Sequence, residues 1–300
     1  MKQKLKKFIK QCRQIKRIIE IKRSSNAISS EGILEDLKNI GIEKGDILFL
    51  HSSLKSIGYV EGGSDAVVDA ILKAIGDTGT LIVPTYSMKG SMYRTCLYDD
   101  FIFDPRTDPR GLGAIPKSVL KLNGVEISIH PTHCVSAIGK DAKFITEAHH
   151  EAESTFGKDS PWERFMRLNG KLFGLGVSMG PITFYHVLQD LEPDKYPLPV
   201  RMKKTYLLNC KNWKGEIIKV PVNPLDPKFT KFRIDNKSRD DLREYFFEEF
   251  SKAKILRAGH IGMAKSWIAS SKAFYDHLKY LRNNGITTYT SPEDLKKRPI

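Results

Sequence analysis

The sequence is poor in cysteine and has no long apolar run. Its 300 residues contain four scattered cysteines and no CxxC pair: Cys12, Cys96, Cys134 and Cys210. A structural zinc site or a dithiol redox motif is therefore not indicated. No apolar stretch approaches the roughly 20 residues of a membrane span, and none with a cleavage site follows the basic amino terminus. These absences predict a cytoplasmic protein without a signal peptide.

Phosphate-binding and nucleic-acid-binding signatures are missing too. The chain has neither a Walker loop nor the glycine spacing of a dinucleotide-binding turn. The formal net charge is +14, but residues 2–23 hold ten Lys and Arg against the single acid Glu20, which leaves +5 for the rest. Because no basic face alternates with aromatic residues, we expect no nucleic-acid partner.

Residues 1–25 have the pattern of a basic amphipathic helix. Apolar residues recur at helical spacing, with Lys and Arg between them: Leu5, Phe8, Ile9, Cys12, Ile15, Ile18 and Ile19. We favour a helix that packs on the rest of the protein. The alternative is contact of residues 1–23 with an anionic membrane at its inner face.

Residues 171–192 carry the strongest local pattern. The apolar run 172–177 predicts a buried strand of a parallel sheet. A turn follows, and helical periodicity begins at Ile182, so Thr183 and His186 share one face in the first turns of a helix. Ligands of open α/β sheets bind beyond the carboxyl ends of the strands. His186 is therefore either a general base or a histidine that only caps or packs.

Other strands also end in polar residues. A strand at 47–50 leads into His51, Ser52, Ser53 and Leu54, and a glycine-rich helix start follows at Gly63. That geometry offers backbone N–H groups to an anion. The strand 80–83 ends near Thr85 and Tyr86, and the strand 126–129 ends in HPTHC. Beyond residue 192, the pattern predicts a hairpin across NWKG, a helix from Asp240, two strands between 255 and 270, and a closing helix.

Seven motifs occur in an order that resembles the aminoglycoside N3-acetyltransferase-like family. They are GDILFLHSSLKSIG, GGSDAVVDAIL, GTLIVPTYS, FDPRTDPRGLGAI, SIHPTHCVSAIGKDA, FGKDSPWERF and LFGLGVSMGPITFYHVLQD. The resemblance covers residues 30–192 well and the remainder loosely. It implies an α/β/α sandwich with a core at 30–192 and an α+β extension at 193–300, which together form a single domain over 26–300. It also implies an acetyl-CoA donor, a small-molecule amine acceptor and no metal. Whether the chain forms a homodimer is left open.

The resemblance also implies roles for individual residues. His186 is similar to the family base and Thr183 to the threonine three residues before it. Family members commonly carry a glutamate where this chain has Gln189, so Asp190 is a candidate to orient His186. We expect the donor to contact His51, Ser52, Ser53, Leu54, Gly63, Thr85 and Arg110. We expect the acceptor to contact Tyr86, His130, His133, Gln189 and Asp226.

Two competing interpretations of single motifs remain. His130 and His133 form an HxxH pair that could bind a metal, and the adjacent Cys134 could carry an acyl group. No acidic cluster adjoins them, and a cysteine of this kind is more often a buried small hydrophobe. We expect His149 and His150 on a surface helix.

The acceptor is the least determined property. Aminoglycosides are polycations, whereas the body of the chain is mildly basic and lacks the glutamate at position 189. We therefore predict an amino sugar linked to a nucleotide, acetylated for surface polysaccharide. The alternatives are an aminoglycoside 3-N-acetyltransferase that confers resistance and a weakened homologue that binds CoA or sugar.

Overall fold

A computed structural model describes residues 27–107 and 112–297. The predicted amino-terminal helix and Arg110 lie outside the described residues. Within them, no helix is long and apolar enough to cross a membrane.

The strands form one large sheet and one small sheet. In chain order they are β1 Ile47–Ser52, β2 Thr80–Pro84, β3 Ile102–Phe103, β4 Glu126–Ile127, β5 Val135–Gly139, β6 Lys171–Leu175, β7 Tyr206–Lys211, β8 Ile217–Val222, β9 Leu256–Ile261 and β10 Ala264–Ser270. The large sheet has the order β4-β5-β2-β1-β6-β10-β9, and the small one has β3-β7-β8. β1 runs parallel to β2 and β6, as predicted for the buried strand of residues 172–177, and the outer strands are antiparallel.

Helices cover both faces of the large sheet. They are α1 Ser30–Ile40, α2 Leu54–Ile57, α3 Gly63–Ile75, α4 Met92–Cys96, α5 Ala114–Val119, α6 Ala142–Thr146, α7 Pro161–Arg167, α8 Tyr185–Leu191, α9 Asp240–Lys252, α10 Ser271–Asn283 and α11 Pro292–Lys296. α1, α3 and α5 bury one apolar core against the sheet, and the other core contains residues of α6 to α10. The result is the expected three-layer α/β/α architecture.

Local sequence explains where α1 begins and ends. Ser29 Oγ accepts a hydrogen bond of 3.1 Å from the Gly32 N–H, which otherwise has no partner in the first turn. Gly41 ends the helix at φ 100°, a left-handed conformation that glycine adopts without steric cost. Ile33 and Leu37 are buried four residues apart, so one face of the helix packs on the core. Residues 30–40 thus form the helix that their cap residue and apolar spacing predict.

The helix that carries His186 begins later than the sequence pattern predicts. α8 starts at Tyr185 rather than at Ile182, and residues 180–184 form turns. The His186 N–H bonds the Thr183 carbonyl at 3.1 Å, a spacing of three residues that is tighter than an α-helical turn. Thr183 therefore precedes the helix, although it lines the same pocket as His186.

Residues 142–156, which include His149 and His150, do not form the single helix that their pattern predicts. Only α6 is helical there, and a short 3-10 helix, His149–Glu151, follows it. Ala148 adopts φ 55°, which interrupts the helical path. The surface position predicted for His149 is wrong: only 1% of this residue is exposed.

The segment after residue 192 joins the large sheet. β9 and β10 form a hairpin whose second strand pairs with β6, so this segment supplies one edge of the sheet. The hairpin β7–β8, predicted across NWKG, pairs instead with β3 in the small sheet. Both predicted strand pairs are confirmed.

Candidate active site

A cleft opens beyond the carboxyl ends of the central strands. β1, β2 and β6 end at one edge of the sheet because they are parallel, and the cleft there has a volume of about 650 Å³. Its lining comes from the β2 end and α4, from the turn before α8, and from residues 225–243. His186 and Thr183 both line it, as does Tyr86.

His186 is half-buried in this cleft and held by a neutral amide. Its Nδ1 lies 2.8 Å from Gln189 Oε1, one helical turn further on. When Nδ1–H donates to that oxygen, Nε2 carries the lone pair and can accept a proton. Gln189 does not line the cleft; its side chain is buried, and its Nε2 has no hydrogen-bond partner among the described residues.

The imidazole of His186 is neutral at physiological pH. Burial lowers its pKa to about 4, the nearby Arg201 guanidinium contributes further, and the hydrogen bond that Nδ1–H donates to Gln189 partly opposes them. A folded-state pKa below the ordinary value means that His186 binds its proton only in acid. The group therefore costs folding stability as pH falls below its ordinary pKa of 6.5. A neutral histidine is also the form that can serve as a base.

Thr183 lies between His186 and the end of β1. Its Oγ1 accepts a hydrogen bond of 2.9 Å from Trp162 Nε1, an atom that can only donate. His51 Nε2 lies 3.5 Å from the same hydroxyl oxygen. Since burial lowers the pKa of His51 to about 4, that imidazole is neutral as well. The hydroxyl thus retains one hydrogen to donate.

Aromatic rings form one wall of the cleft. Tyr86 and His133, both predicted acceptor contacts, line it with ring centroids 4.9 Å apart. Burial, followed by the charge of Asp235, raises the pKa of Tyr86 to about 12, so its phenol is neutral. The Phe156 ring lies 4.7 Å from that of His133 and 4.9 Å from that of His186.

The two predicted acids have other partners. Asp190 Oδ1 accepts from Arg201 Nη2 at 2.6 Å and Nε at 2.9 Å, and Oδ2 accepts from the Phe156 N–H, so no hydrogen bond joins Asp190 to His186. The helix points Asp190 away from the imidazole, whereas Gln189 faces it. Asp226 caps the short turn Pro227–Phe229 and pairs with Lys228 at 3.0 Å. It does not line the cleft, although both of its sequence neighbours do.

The two histidines of the HxxH motif have different surroundings: His133 lines the cleft and His130 does not. His130 is buried, and its Nδ1 accepts from the backbone N–H groups of Thr132 and His133, which holds a turn in place. Its ring stacks on His149 with centroids 4.4 Å apart. His130 therefore has a structural role here, and it does not lie where it was predicted to contact the acceptor. Within residues 27–107 and 112–297, no group of three or more His, Cys, Asp or Glu could hold a metal ion.

Cys134 is a buried thiol. Its Sγ donates to the Ser128 carbonyl at 2.9 Å, and burial raises its pKa to about 12. A thiol that stays protonated is a poor nucleophile. We predict that Cys134→Ser keeps acetyl transfer within a few-fold of the parent enzyme. Mass spectrometry of enzyme quenched during turnover would contradict this if it found an acetyl group on Cys134.

The predicted donor contacts fall into two groups. Ser52, Ser53 and Leu54 are half-buried at the end of β1, where the Ser53 N–H bonds the Leu175 carbonyl at 2.9 Å and Gly63 opens α3 at φ 65°. Thr85 is buried, and its hydroxyl bonds Ser136 Oγ at 2.8 Å, so it faces the interior rather than a ligand.

A second, apolar groove lies beside the predicted donor contacts at the end of β1. It has a volume of about 660 Å³, and Ser178 lines both this groove and the cleft. Its other walls include Ser56, Gly176, Met263 and Trp267. The sequence alone did not indicate this groove, because its walls come from separate segments of the chain.

Comparison with known proteins identifies the family. The family model described as Aminoglycoside 3-N-acetyltransferase matches residues 49–282. Aminoglycoside N(3)-acetyltransferase III of Salmonella sp is 32% identical over 254 residues, which cover 80% of this chain and 86% of the relative. The chain belongs to the aminoglycoside 3-N-acetyltransferase family. It is thus an acyltransferase whose acetyl donor is acetyl-CoA.

Solved structures agree with this aminoglycoside 3-N-acetyltransferase fold. The crystal structure of aminoglycoside acetyltransferase AAC(3)-Xa matches with a TM-score of 0.74 at 24% identity, and it covers 89% of this chain and 97% of its own. The structure of AAC-IIIb as a binary complex with CoASH matches with a TM-score of 0.70 at 21% identity, over 88% and 99% of the two chains.

Several residues of this aminoglycoside 3-N-acetyltransferase site were missed by the sequence analysis. The motif FGKDSPWERF supplies both Phe156 and Trp162, although the resemblance suggested no role for either. Arg201 had no signal, because nothing local marks an arginine that reaches Asp190 across a 3-10 turn. The charged cleft residues were missed as well: Arg233, Asp235 and Lys237 come from a segment without periodicity, and Asp240 and Arg243 from the first turn of the predicted helix, where nothing local marks a ligand site.

Proposed function

We propose that this enzyme transfers the acetyl group of acetyl-CoA to the 3-amino group of an aminoglycoside, with His186 as general base. The observation that carries the proposal is the neutral imidazole of His186, hydrogen-bonded at Nδ1 and half-buried in the cleft. Membership of the family supports the choice of acceptor. The proposal corrects the expectation of a nucleotide-linked acceptor, which has less support.

The proposed chemistry is direct transfer. The amine nitrogen of the acceptor bonds to the thioester carbonyl carbon while the C–S bond breaks and the thiolate of CoA leaves. His186 Nε2 takes the proton that the nitrogen loses, and a base positioned in this way contributes about 10²–10⁴ in rate. Thr183, whose oxygen accepts from Trp162 and whose other neighbour is His51 Nε2, would direct its hydroxyl hydrogen to the carbonyl oxygen once the donor is bound, where negative charge develops.

The donor is proposed to lie along the end of β1. Ser52, Ser53 and Leu54 are half-exposed there, and the apolar groove beside Ser56 suits the pantetheine arm. Ser178 lines both the groove and the cleft, so a donor in the groove and an acceptor in the cleft would meet near His186 and Thr183. This arrangement brings the two reacting groups together without a covalent enzyme intermediate.

A nucleotide-linked amino sugar remains the second candidate because of the charges in the cleft. Two carboxylates line it, and each already pairs with an arginine at 2.6 Å: Asp235 with Arg233, and Asp240 with Arg243. Lys237 has no ion-pair partner in the described part of the chain and leaves the lining with a net positive charge. Such a lining favours an acceptor that carries phosphate over a polycation.

A panel of acceptors tests the proposal. CoA release would be followed with gentamicin- and kanamycin-type aminoglycosides and with nucleotide-linked amino sugars, and the acetylated position would be read by NMR of the product. We expect kcat/KM to be higher for the aminoglycosides and acetylation to fall on N3. Higher kcat/KM for the nucleotide-linked sugars would select the second candidate. CoA binding without turnover of any amine would overturn both.

A further inference from the structure

A buried ion pair lies behind the wall of the cleft. Asp190 and Arg201 are 3% and 17% exposed in their side chains, and two hydrogen bonds of 2.6 and 2.9 Å join them. Arg201 Nη1 also donates to the Asn223 carbonyl at 3.1 Å, so the guanidinium has a fixed position. A charge pair this deeply buried is costly unless its hydrogen bonds are satisfied, and here they are.

Phe156 connects this pair to His186. Its backbone N–H donates to Asp190 Oδ2 at 3.1 Å, and the Arg201 guanidinium lies over its ring, 5.4 Å from the centroid. The other side of the connection is the contact of 4.9 Å between the rings of Phe156 and His186. Arg201 and Asp190 therefore hold Phe156 through both its backbone and its ring.

Arg201 of this pair is the charged group with the largest influence on His186. The charged and titratable groups that face the imidazole are Arg201, Arg233, Asp190 and His133. Burial is the main reason for the lowered pKa of His186; Arg201 lowers it further, whereas Asp190 raises it and has the smallest influence of these causes. The net influence of the pair on His186 is thus that of a cation.

We propose that the Asp190–Arg201 pair is a positioning device for His186. It clamps the Phe156 ring against the imidazole and fixes a positive charge beside it, which holds the imidazole in place and disfavours its protonation. The inference rests on the proposed function of His186 as general base. Neither residue lines the cleft, so both act through His186 and not on a ligand.

The test measures the titration of His186 itself as well as activity. Histidine labelled with ¹³C at Cε1 would be followed by NMR against pH, with the His186 signal assigned by its loss in His186→Ala. In Arg201→Met, we expect the pKa of His186 to rise by about one unit, because a nearby cation is removed. The acid limb of kcat/KM should move by the same amount, and the KM for acceptor should change less than kcat.

Three further variants separate charge from a loosened fold. Arg201→Lys keeps the cation and should keep the titration of the parent. Asp190→Asn leaves the guanidinium in place and should not raise the pKa, whereas water entering a loosened site would raise it in both Arg201→Met and Asp190→Asn. Lys171→Met removes an ion pair with Asp46 of similar length, 2.7 Å, at the opposite end of β6 and should change neither readout.

If Arg201→Met does not fold, the double variant Asp190→Asn/Arg201→Met leaves no unpaired buried charge. Compared with Asp190→Asn alone, it should show the same rise in the pKa of His186. An equal rise in Arg201→Met and Asp190→Asn, or no rise in any variant that lacks the guanidinium, would overturn the inference. Because the NMR titration needs no turnover, it stays informative even if His186→Ala proves active and the proposed function fails.

Discussion

Replacing His186 by alanine is expected to lower kcat for acetyl transfer by about 10²–10⁴-fold, the usual contribution of a positioned base. Nε2 of this residue is the proposed proton acceptor, while its Nδ1 is engaged by Gln189 at 2.8 Å. Gln189 is an amide and Thr183 a hydroxyl, so neither neighbour can replace the lost base at neutral pH. The affinity for CoA should stay close to that of the parent, because the proposed donor contacts lie at the end of β1.

Two measurements check this expectation. Steady-state CoA release gives kcat and KM, and calorimetry gives the Kd for CoA in the same variant. His150→Ala is a suitable control, since His150 lies outside the cleft beside Glu151 and should retain activity. Full activity of His186→Ala would remove this histidine from the chemistry, and a large loss of CoA affinity would place it in the donor site instead.

Replacing Gly174 by alanine is expected to lower the free energy of unfolding by about 3 kcal/mol, at the upper end of overpacking costs. Gly174 is buried in β6 and pairs directly with Trp267 of β10. A Cβ at this position would lie 2.2 Å from Trp267 Cε2 and 2.3 Å from Nε1. The indole would have to move, which also strains its 3.0 Å hydrogen bond to the Val177 carbonyl.

Urea unfolding at equilibrium measures the effect. Gly32→Ala is the matched control: Gly32 lies in α1, and its added Cβ would approach Ser29 Oγ no closer than 3.7 Å. That variant should be stabilised by up to about 1 kcal/mol, because alanine restricts the unfolded chain and favours helix. If both variants have the stability of the parent, the close approach of the Trp267 indole to β6 does not exist in solution.

The candidate base could be found from the sequence because the residues that position it are close together along the chain. The strand, the turn, Thr183, His186 and Gln189 all fall within residues 171–192. Helical spacing brings a residue three positions beyond a histidine to the same face. Spacing alone could not show that Gln189 faces the imidazole while Asp190, one position further, turns away to Arg201.

The histidines show where sequence reasoning fails. His130, His133 and His149 looked alike as polar residues near strand or helix ends, yet His133 lines the cleft and the other two stack on each other in the interior. The local sequence around a buried histidine that accepts backbone hydrogen bonds does not differ from that around a histidine that contacts a ligand. Only the packing of α7 and the loops around it separates the two roles.

By itself, the sequence determined most strands and helices, the α/β class and the segment that carries His186, but it did not indicate β3 or β5. Each of these depends on local periodicity, capping and turn residues, which act over a few positions. The tertiary structure alone decided the order of strands in the sheet, the far wall of the cleft between residues 225 and 243, and the partners of Asp190, Cys134 and Thr183. Those features join residues tens of positions apart, and burial and hydrogen-bond satisfaction of the whole chain select them.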